Sequence, residues 1–181
     1  MYFILIYVFH SSKGCNREAL KSMSKKQFTH ISKDGNPQMV NVSEKGITLR
    51  TARAQAIVDV GDEILAKIQN NELITKKGPV FQTAIIAGVL GAKKTADLIP
   101  FCHPLGLEDC QIKISVAQGK IVIDTEAVVT AKTGVEMEAL TAASVAALTV
   151  YDMCKALSHD IVIKEIKLMA KSGGKKDFKR N

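Results

Sequence analysis

Between Arg50 and Val60 the chain alternates. Ala52, Ala54, Ala56, Val58 and Val60 share one side, while Thr51, Arg53, Gln55, Ile57 and Asp59 share the other. A period of two is that of a half-buried strand. Gly61-Asp62 then opens a short helix over Glu63–Asn70. Gly78-Pro79 precedes a long apolar, alanine-rich stretch, Val80–Lys94. That stretch reads as a helix with Pro79 at its start, closing before Pro100. Alternation returns over Leu107–Ala117 and Lys120–Val129, joined by Gln118-Gly119, which makes a β-hairpin. A second long helix spans Val135–Leu157, and Ile161–Met169 alternates again as the last strand.

The order strand, helix, strand, strand, helix, strand is the split βαβ pattern of a ferredoxin-like fold. The fold class is therefore α+β, an antiparallel sheet with helices on one face. The other sheet face would then be bare, and a bare apolar face argues for association between copies.

The second long helix carries the first candidate chemistry. At about 100° per residue, Glu138, Thr141, Ser144, Thr149, Asp152 and Lys155 fall in one stripe about 140° wide. A solvated face usually holds several Lys and Glu. This one holds Thr, Ser and three charges, which suits a cavity or a subunit interface. Asp152 and Lys155 stand three apart and meet on the helix surface, where they could divide acid and base roles. Glu136 has a structural alternative: Thr133-Gly134-Val135-Glu136 fits a capping box, with Thr133 as N-cap. His103 lies between Pro100 and Pro104 in a stiff loop, and histidine transfers protons well near neutral pH. Lys171-Ser172-Gly173-Gly174-Lys175 follows the last strand. Its glycines and lysines could cradle phosphate, or be a flexible basic tail. It is not a Walker loop. Arg50, Arg53, Lys76, Lys77, Lys93 and Lys94 could add to an anion site.

Charge and cysteines narrow the partners. The net charge is +7, with +4 in residues 1–30 and +4 in residues 171–181, which leaves the body at −1. Basic ends around a near-neutral body, with no aromatics at alternate strand positions, speak against nucleic-acid binding. Cys15, Cys102, Cys110 and Cys154 show no C-x-x-C spacing. That reads as reduced, structural thiols in a cytoplasmic protein, with no metal site. The nine apolar residues Met1–Phe9 are too few for a membrane span, and no basic n-region precedes them. Residues 1–22 are read as an extension outside the fold, and residues 23–181 as one catalytic domain with a basic C-terminal tail.

Several strings together resemble one family. These are Thr29-His30-Ile31, Met39-Val40-Asn41-Val42-Ser43, DLIPFCHPL over 97–105, KTGVEMEALT over 132–141, SVAALTVYDMCKA over 144–156 and KSGGK over 171–175. The family is cyclic pyranopterin monophosphate synthase, the accessory protein C of molybdenum cofactor biosynthesis, and the likeness covers roughly residues 28–178. The resemblance implies a lyase acting on 3′,8-cyclo-7,8-dihydro-GTP. It would rebuild the ring system into cyclic pyranopterin monophosphate and release diphosphate. It implies a homohexamer, a trimer of dimers, with the active site where two subunits meet. No cofactor is required, although Mg²⁺ could accompany the triphosphate.

Carried over residue by residue, the resemblance makes Asp152, Lys155 and Lys77 catalytic. It makes Phe101, Cys102, His103, Glu136, Met137, Glu138, Arg50 and Lys171 substrate-binding, and it outweighs the capping role for Glu136. Departures are Pro79 for a common Asp, Phe101 for a common Leu, Ala131 for a common Gly, and Lys175-Lys176-Asp177 for a Ser-Gly spacer. Two other classes compete: an RNA-binding ferredoxin-like module, and a pathway scaffold without catalysis.

Overall fold

The computed structural model of the chain describes residues 35–180. The proposed extension over residues 1–22 and the Thr29-His30-Ile31 string lie outside them. The elements run β1 (Thr48–Asp59), α1 (Asp62–Leu65), β2 (Ile74–Thr75), β3 (Gly78–Pro79), α2 (Val80–Lys93), α3 (Thr95–Leu98), β4 (Asp109–Ala117), β5 (Lys120–Ala131), α4 (Glu136–Cys154), β6 (Val162–Ser172) and β7 (Phe178–Lys179). The main sheet has the order β4-β5-β1-β6-β7, and every neighbouring pair is antiparallel. The fold is α+β with an antiparallel sheet, compatible with the expected ferredoxin-like pattern.

The alternation of β1 is realised in its burial. Ala52, Ala54, Ala56 and Val58 are sealed against the helices, as are Ile121, Ile123, Ala127 and Val129 of β5. Small residues on β1 let α4 approach closely, and α4 answers with buried Ala139, Ala143, Ala146, Ala147 and Val150. Thr125 is the polar member of this layer. Its hydroxyl is satisfied by the carbonyls of Ala54 and Ala139, at 3.2 and 2.9 Å. The α2–α4 contact needs glycine. A Cβ on Gly88 would stand 2.9 Å from the Ala142 carbonyl oxygen, and one on Gly91 would stand 2.7 Å from the Val145 side chain. The hairpin turns on Gln118 (φ 50°) and Gly119 (φ 67°), the two left-handed residues that a tight hairpin twist requires.

Three expectations are corrected. The first helix ends at Leu65 rather than Asn70. Asn70 and Asn71 both take left-handed conformations (φ 49° and 58°), which Asn tolerates and which reverse the chain. The sheet's free face is not apolar. Arg53 pairs with Glu126, Gln55 donates to Asp124 at 2.8 Å, and Lys167 bonds Glu165. Leu49, Ile57, Val122 and Val128 share that face, so it is mixed rather than bare and apolar. Finally, no capping box forms. Helix α4 begins at Glu136 with Val135 as its cap residue and no side-chain cap, because the Glu136 carboxylate turns to Lys171 instead.

Candidate active site

The polar stripe of α4 divides into three environments. At the N-terminal end Glu138 and Thr141 are buried, 4% and 7% exposed. In the middle the Ser144 and Thr149 hydroxyls bond back to the carbonyls of Leu140 and Val145, at 2.7 and 2.8 Å, and so are satisfied within their own helix. At the C-terminal end Asp152 and Lys155 are exposed.

A cavity of about 370 Å³ opens beside the first turn of α4. The 101–105 loop supplies Phe101, Cys102 and His103, and the helix supplies Glu136, Met137 and Glu138. All six were expected from the sequence. Val40, Val42 and Lys45 close the opposite wall. That segment is tied to the helix entry by Lys132, whose Nζ donates to the Ser43 carbonyl at 2.8 Å. Phe101 and Met137 keep 42% and 37% of their surface exposed, so they offer apolar area to a ring.

Burial raises the pKa of Glu138, the Glu136 charge raises it further, and a backbone hydrogen bond partly offsets both. Burial also raises the Cys102 thiol, with the Glu138 charge adding to it. Cys102 is therefore a protonated wall residue rather than a nucleophilic thiolate.

The Glu138 shift gives a stability prediction. Its proton is held more tightly in the fold than in the unfolded chain, whose reference value is 4.5. Stability then falls as pH rises from that value through the raised native one, because the fold must bury a charge. Glu138→Gln removes that cost. Thermal melts should show the variant more stable than the parent by a few degrees at about pH 8, with the gap closing near pH 4. A gap that is unchanged with pH would contradict the burial account.

A second, smaller hollow of about 210 Å³ shares Gly134 and Glu136 with the first. Its cations are Arg50, Lys171 and Lys175. Lys171 donates to Glu136 Oε1 at 2.8 Å, which joins the acidic and the basic hollow. The Arg50 Nε is buried with no hydrogen-bond partner, alone in this among the described side chains. A donor left unpaired beside two lysines marks a place for an anion. Gly173, at φ 80°, brings its Cα against the Leu49 carbonyl, where any Cβ would collide. Gly174 passes the Arg50 guanidinium so closely that a Cβ would lie 2.9 Å from Nη1. Gly173 of the KSGGK string is thus needed for the hollow's shape, while at Gly174 the Arg50 side chain could give way.

Asp152 stands at the far end of α4. It is clasped between two lysines: Lys155 Nζ to Oδ1 at 2.7 Å, and Lys77 Nζ to Oδ2 at 2.7 Å and to the Asp152 carbonyl at 2.9 Å. The Lys155 bond first, then the Lys77 bond, pull the carboxyl pKa down to about 2. The same pairing raises Lys155.

The expected site residues are therefore in two places. Asp152 lies sixteen positions after Glu136 on α4, about 24 Å along the axis. Within one chain Lys77 lies with Asp152 and Lys155, and not with Arg50, His103 and Lys171 as an anion clamp. Of the other cations, Arg53 is on the outer sheet face with Glu126, and Lys94 pairs with Asp97. Sequence reasoning missed Lys45, and it gave Lys175 only a weak pattern role. Lys45 sits in an aperiodic turn and carries no signal.

The comparisons with known proteins cover both ends of this arrangement. The MoaC family model matches residues 39–174. Molybdenum cofactor biosynthesis protein 1 of Dictyostelium discoideum is 48% identical over 167 residues, 82% of this chain and 26% of that protein. Its namesake in Drosophila melanogaster is 47% identical over 176 residues, 96% of this chain and 31% of that protein. The chain thus spans between a quarter and a third of the length of these relatives. The matched span runs from the cavity wall at Val40 to Gly174 of the basic hollow and takes in Lys77, Asp152 and Lys155, so we conclude that the chain belongs to the MoaC family.

Proposed function

We propose that this chain is a lyase of molybdenum cofactor biosynthesis. It converts 3′,8-cyclo-7,8-dihydro-GTP to cyclic pyranopterin monophosphate and releases diphosphate. The observation that carries the reading is the joined pair of hollows. One is walled by buried carboxyl and apolar groups, the next by Arg50, Lys171 and Lys175, and Glu136 lies between them. A molecule with an N–H-rich ring at one end and phosphates at the other fits that polarity. Both relatives also carry molybdenum cofactor biosynthesis in their names.

Glu136 and Glu138 take the guanine-derived edge, since a carboxylate accepts from neighbouring N–H donors. Phe101 and Met137 flank the ring, and His103 closes the loop side. Arg50 and Lys171 hold the phosphates and stabilise the departing diphosphate. In that step a substrate hydroxyl attacks the α-phosphorus. The new P–O bond closes the cyclic monophosphate as the bond to the diphosphate breaks. Mg²⁺ would serve as a companion of the triphosphate rather than a resident cofactor.

Asp152, Lys155 and Lys77 move protons as the ring opens and recloses. At rest they are poised against transfer, because the ion pairs strengthen Asp152 as an anion and Lys155 as a cation. A substrate group entering between them loosens the pairs and brings both values toward neutrality.

In this reading the Asp152 end of one copy faces the cavity of another, which the distance along α4 supports. We include in the proposal a homohexamer made as a trimer of dimers, with the reaction centre between subunits. The apolar residues Ile86 and Leu90 of α2 and Leu148 of α4, each more than half exposed, are available for such contacts. The RNA-binding alternative is disfavoured by Asp124, Glu126 and Glu165 on the free sheet face and by the lack of aromatics on β1, β4, β5 and β6. Among the described residues no helix is long and apolar enough to cross a membrane.

The test is purified protein mixed with the cyclic GTP-derived intermediate, with product read by mass and diphosphate by a release assay. Formation of both supports the lyase. Binding without either product would favour the scaffold.

A further inference from the structure

Helix α2 begins without a cap of its own. Its cap residue is Pro79, which makes no side-chain cap bond, and its first turn holds no acidic residue. The free N–H groups of that turn are instead taken by Glu72, seven residues before Pro79. Glu72 Oε1 accepts from Phe81 N–H at 2.8 Å, and Oε2 accepts from Gln82 N–H at 3.1 Å. These are the second and third residues of α2, the donors an N-cap side chain would take. Oε1 also accepts from Leu73 N–H at 2.8 Å. The Leu73 carbonyl accepts from Val80 N–H at 2.9 Å, and the Leu73 side chain is fully buried. Residues 72–73 are thus docked on the end of α2.

Between this dock and the helix runs the β2–β3 hairpin, with Ile74 opposite Pro79 and Thr75 opposite Gly78. Lys77 sits in its two-residue turn, its N–H donating to Thr75 Oγ1 at 3.2 Å. One strand of the hairpin is joined to α2 covalently, through Pro79-Val80. The other, beyond its pairing with the first, is tied to α2 by Glu72 and Leu73. With both strands fixed, Lys77 reaches Asp152 Oδ2 at 2.7 Å.

We propose that Glu72 is a positioning residue: by capping α2 from a distance it fixes the hairpin and so sets Lys77 on Asp152. The catalytic part of this inference rests on the function proposed above, while the placement of Lys77 does not. Glu72 itself meets neither substrate nor Asp152. A half-buried carboxylate supplies what the proline start of α2 lacks.

The experiment has two readouts on folded protein. The first is the Asp152 carboxyl titration, followed by carbon-13 NMR in the parent, Glu72→Ala, Lys77→Ala and the double variant. Lys77→Ala should raise the Asp152 pKa from its depressed value. Glu72→Ala should reproduce most of that rise and add nothing on top of Lys77→Ala. The second readout is turnover. Glu72→Ala should lower kcat about tenfold to a hundredfold, with KM within about twofold. In the Lys77→Ala background it should cost less than about twofold.

Glu72→Gln keeps one good acceptor and should fall between. It is also the variant to use if Glu72→Ala does not fold. An Asp152 titration unmoved by both Glu72 variants would overturn the positioning role, as would full additivity with Lys77→Ala. If the parent makes no product yet Glu72→Ala still shifts Asp152, the positioning stands and the lyase assignment falls.

Discussion

Asp152→Asn lowers kcat by about 10²–10⁴, the range lost with a positioned acid–base group, and leaves substrate affinity near that of the parent. The variant keeps the size and shape of the side chain. It loses the charge that draws Lys77 and Lys155 together at 2.7 Å. Two ammonium groups then face one neutral amide, and Lys77 keeps only its bond to the Asp152 backbone carbonyl. Affinity survives because the groups proposed to bind the ring and the phosphates lie at the other end of α4. Rates measured under single turnover, with substrate binding by calorimetry, check both halves of the statement. The pH profile adds a second check. The carboxyl is held to about 2 by Lys155 and then Lys77, so in the substrate-free parent it stays ionised across the working range. Loss of kcat/KM, which reports the free enzyme, in mildly acidic solution must then come from another group. If an acid limb at the ordinary carboxylate value vanished in Asp152→Asn, the clasp would be absent in solution.

Much of this arrangement was legible in the sequence, for physical reasons. The alternation of β1 is strict because one face is sealed under α4, and its five small or branched residues are the ones found buried. The Gln118-Gly119 turn was legible because so few residues accept two successive left-handed conformations. The six residues that line the cavity were singled out through the family resemblance of two unbroken strings, one loop and one helix turn.

What could not be read was whatever depends on distance through space. Periodicity placed Glu138 and Asp152 on one stripe, but a stripe has a length, and here it separates two groups of candidate residues. Thr133 and Glu136 have capping-box spacing. A lysine 35 residues away in sequence, Lys171, draws off the carboxylate. The cap of α2 was invisible for the same reason. Glu72 is not at the cap position, and only folding of the 70–79 segment brings it there. The apolar free face was inferred from the fold alone, although Arg53, Gln55, Asp124 and Glu126 were already placed by the alternation of β1 and β5.

The measurement that bears most directly on the account mixes two inactive variants. Asp152→Asn damages one end of α4, and Lys171→Ala damages the phosphate hollow near the other. Each oligomer made from a single variant should be nearly inactive. If each reaction centre takes its Asp152 from one copy and its Lys171 from another, random mixing leaves about a quarter of the centres intact by the symmetry of the contact. Subunits unfolded together and refolded, or made by co-expression, should then regain about a quarter of the parent's rate of diphosphate release per chain. Mixed oligomers confirmed by mass, with activity no higher than the two variants apart, would contradict the shared reaction centre.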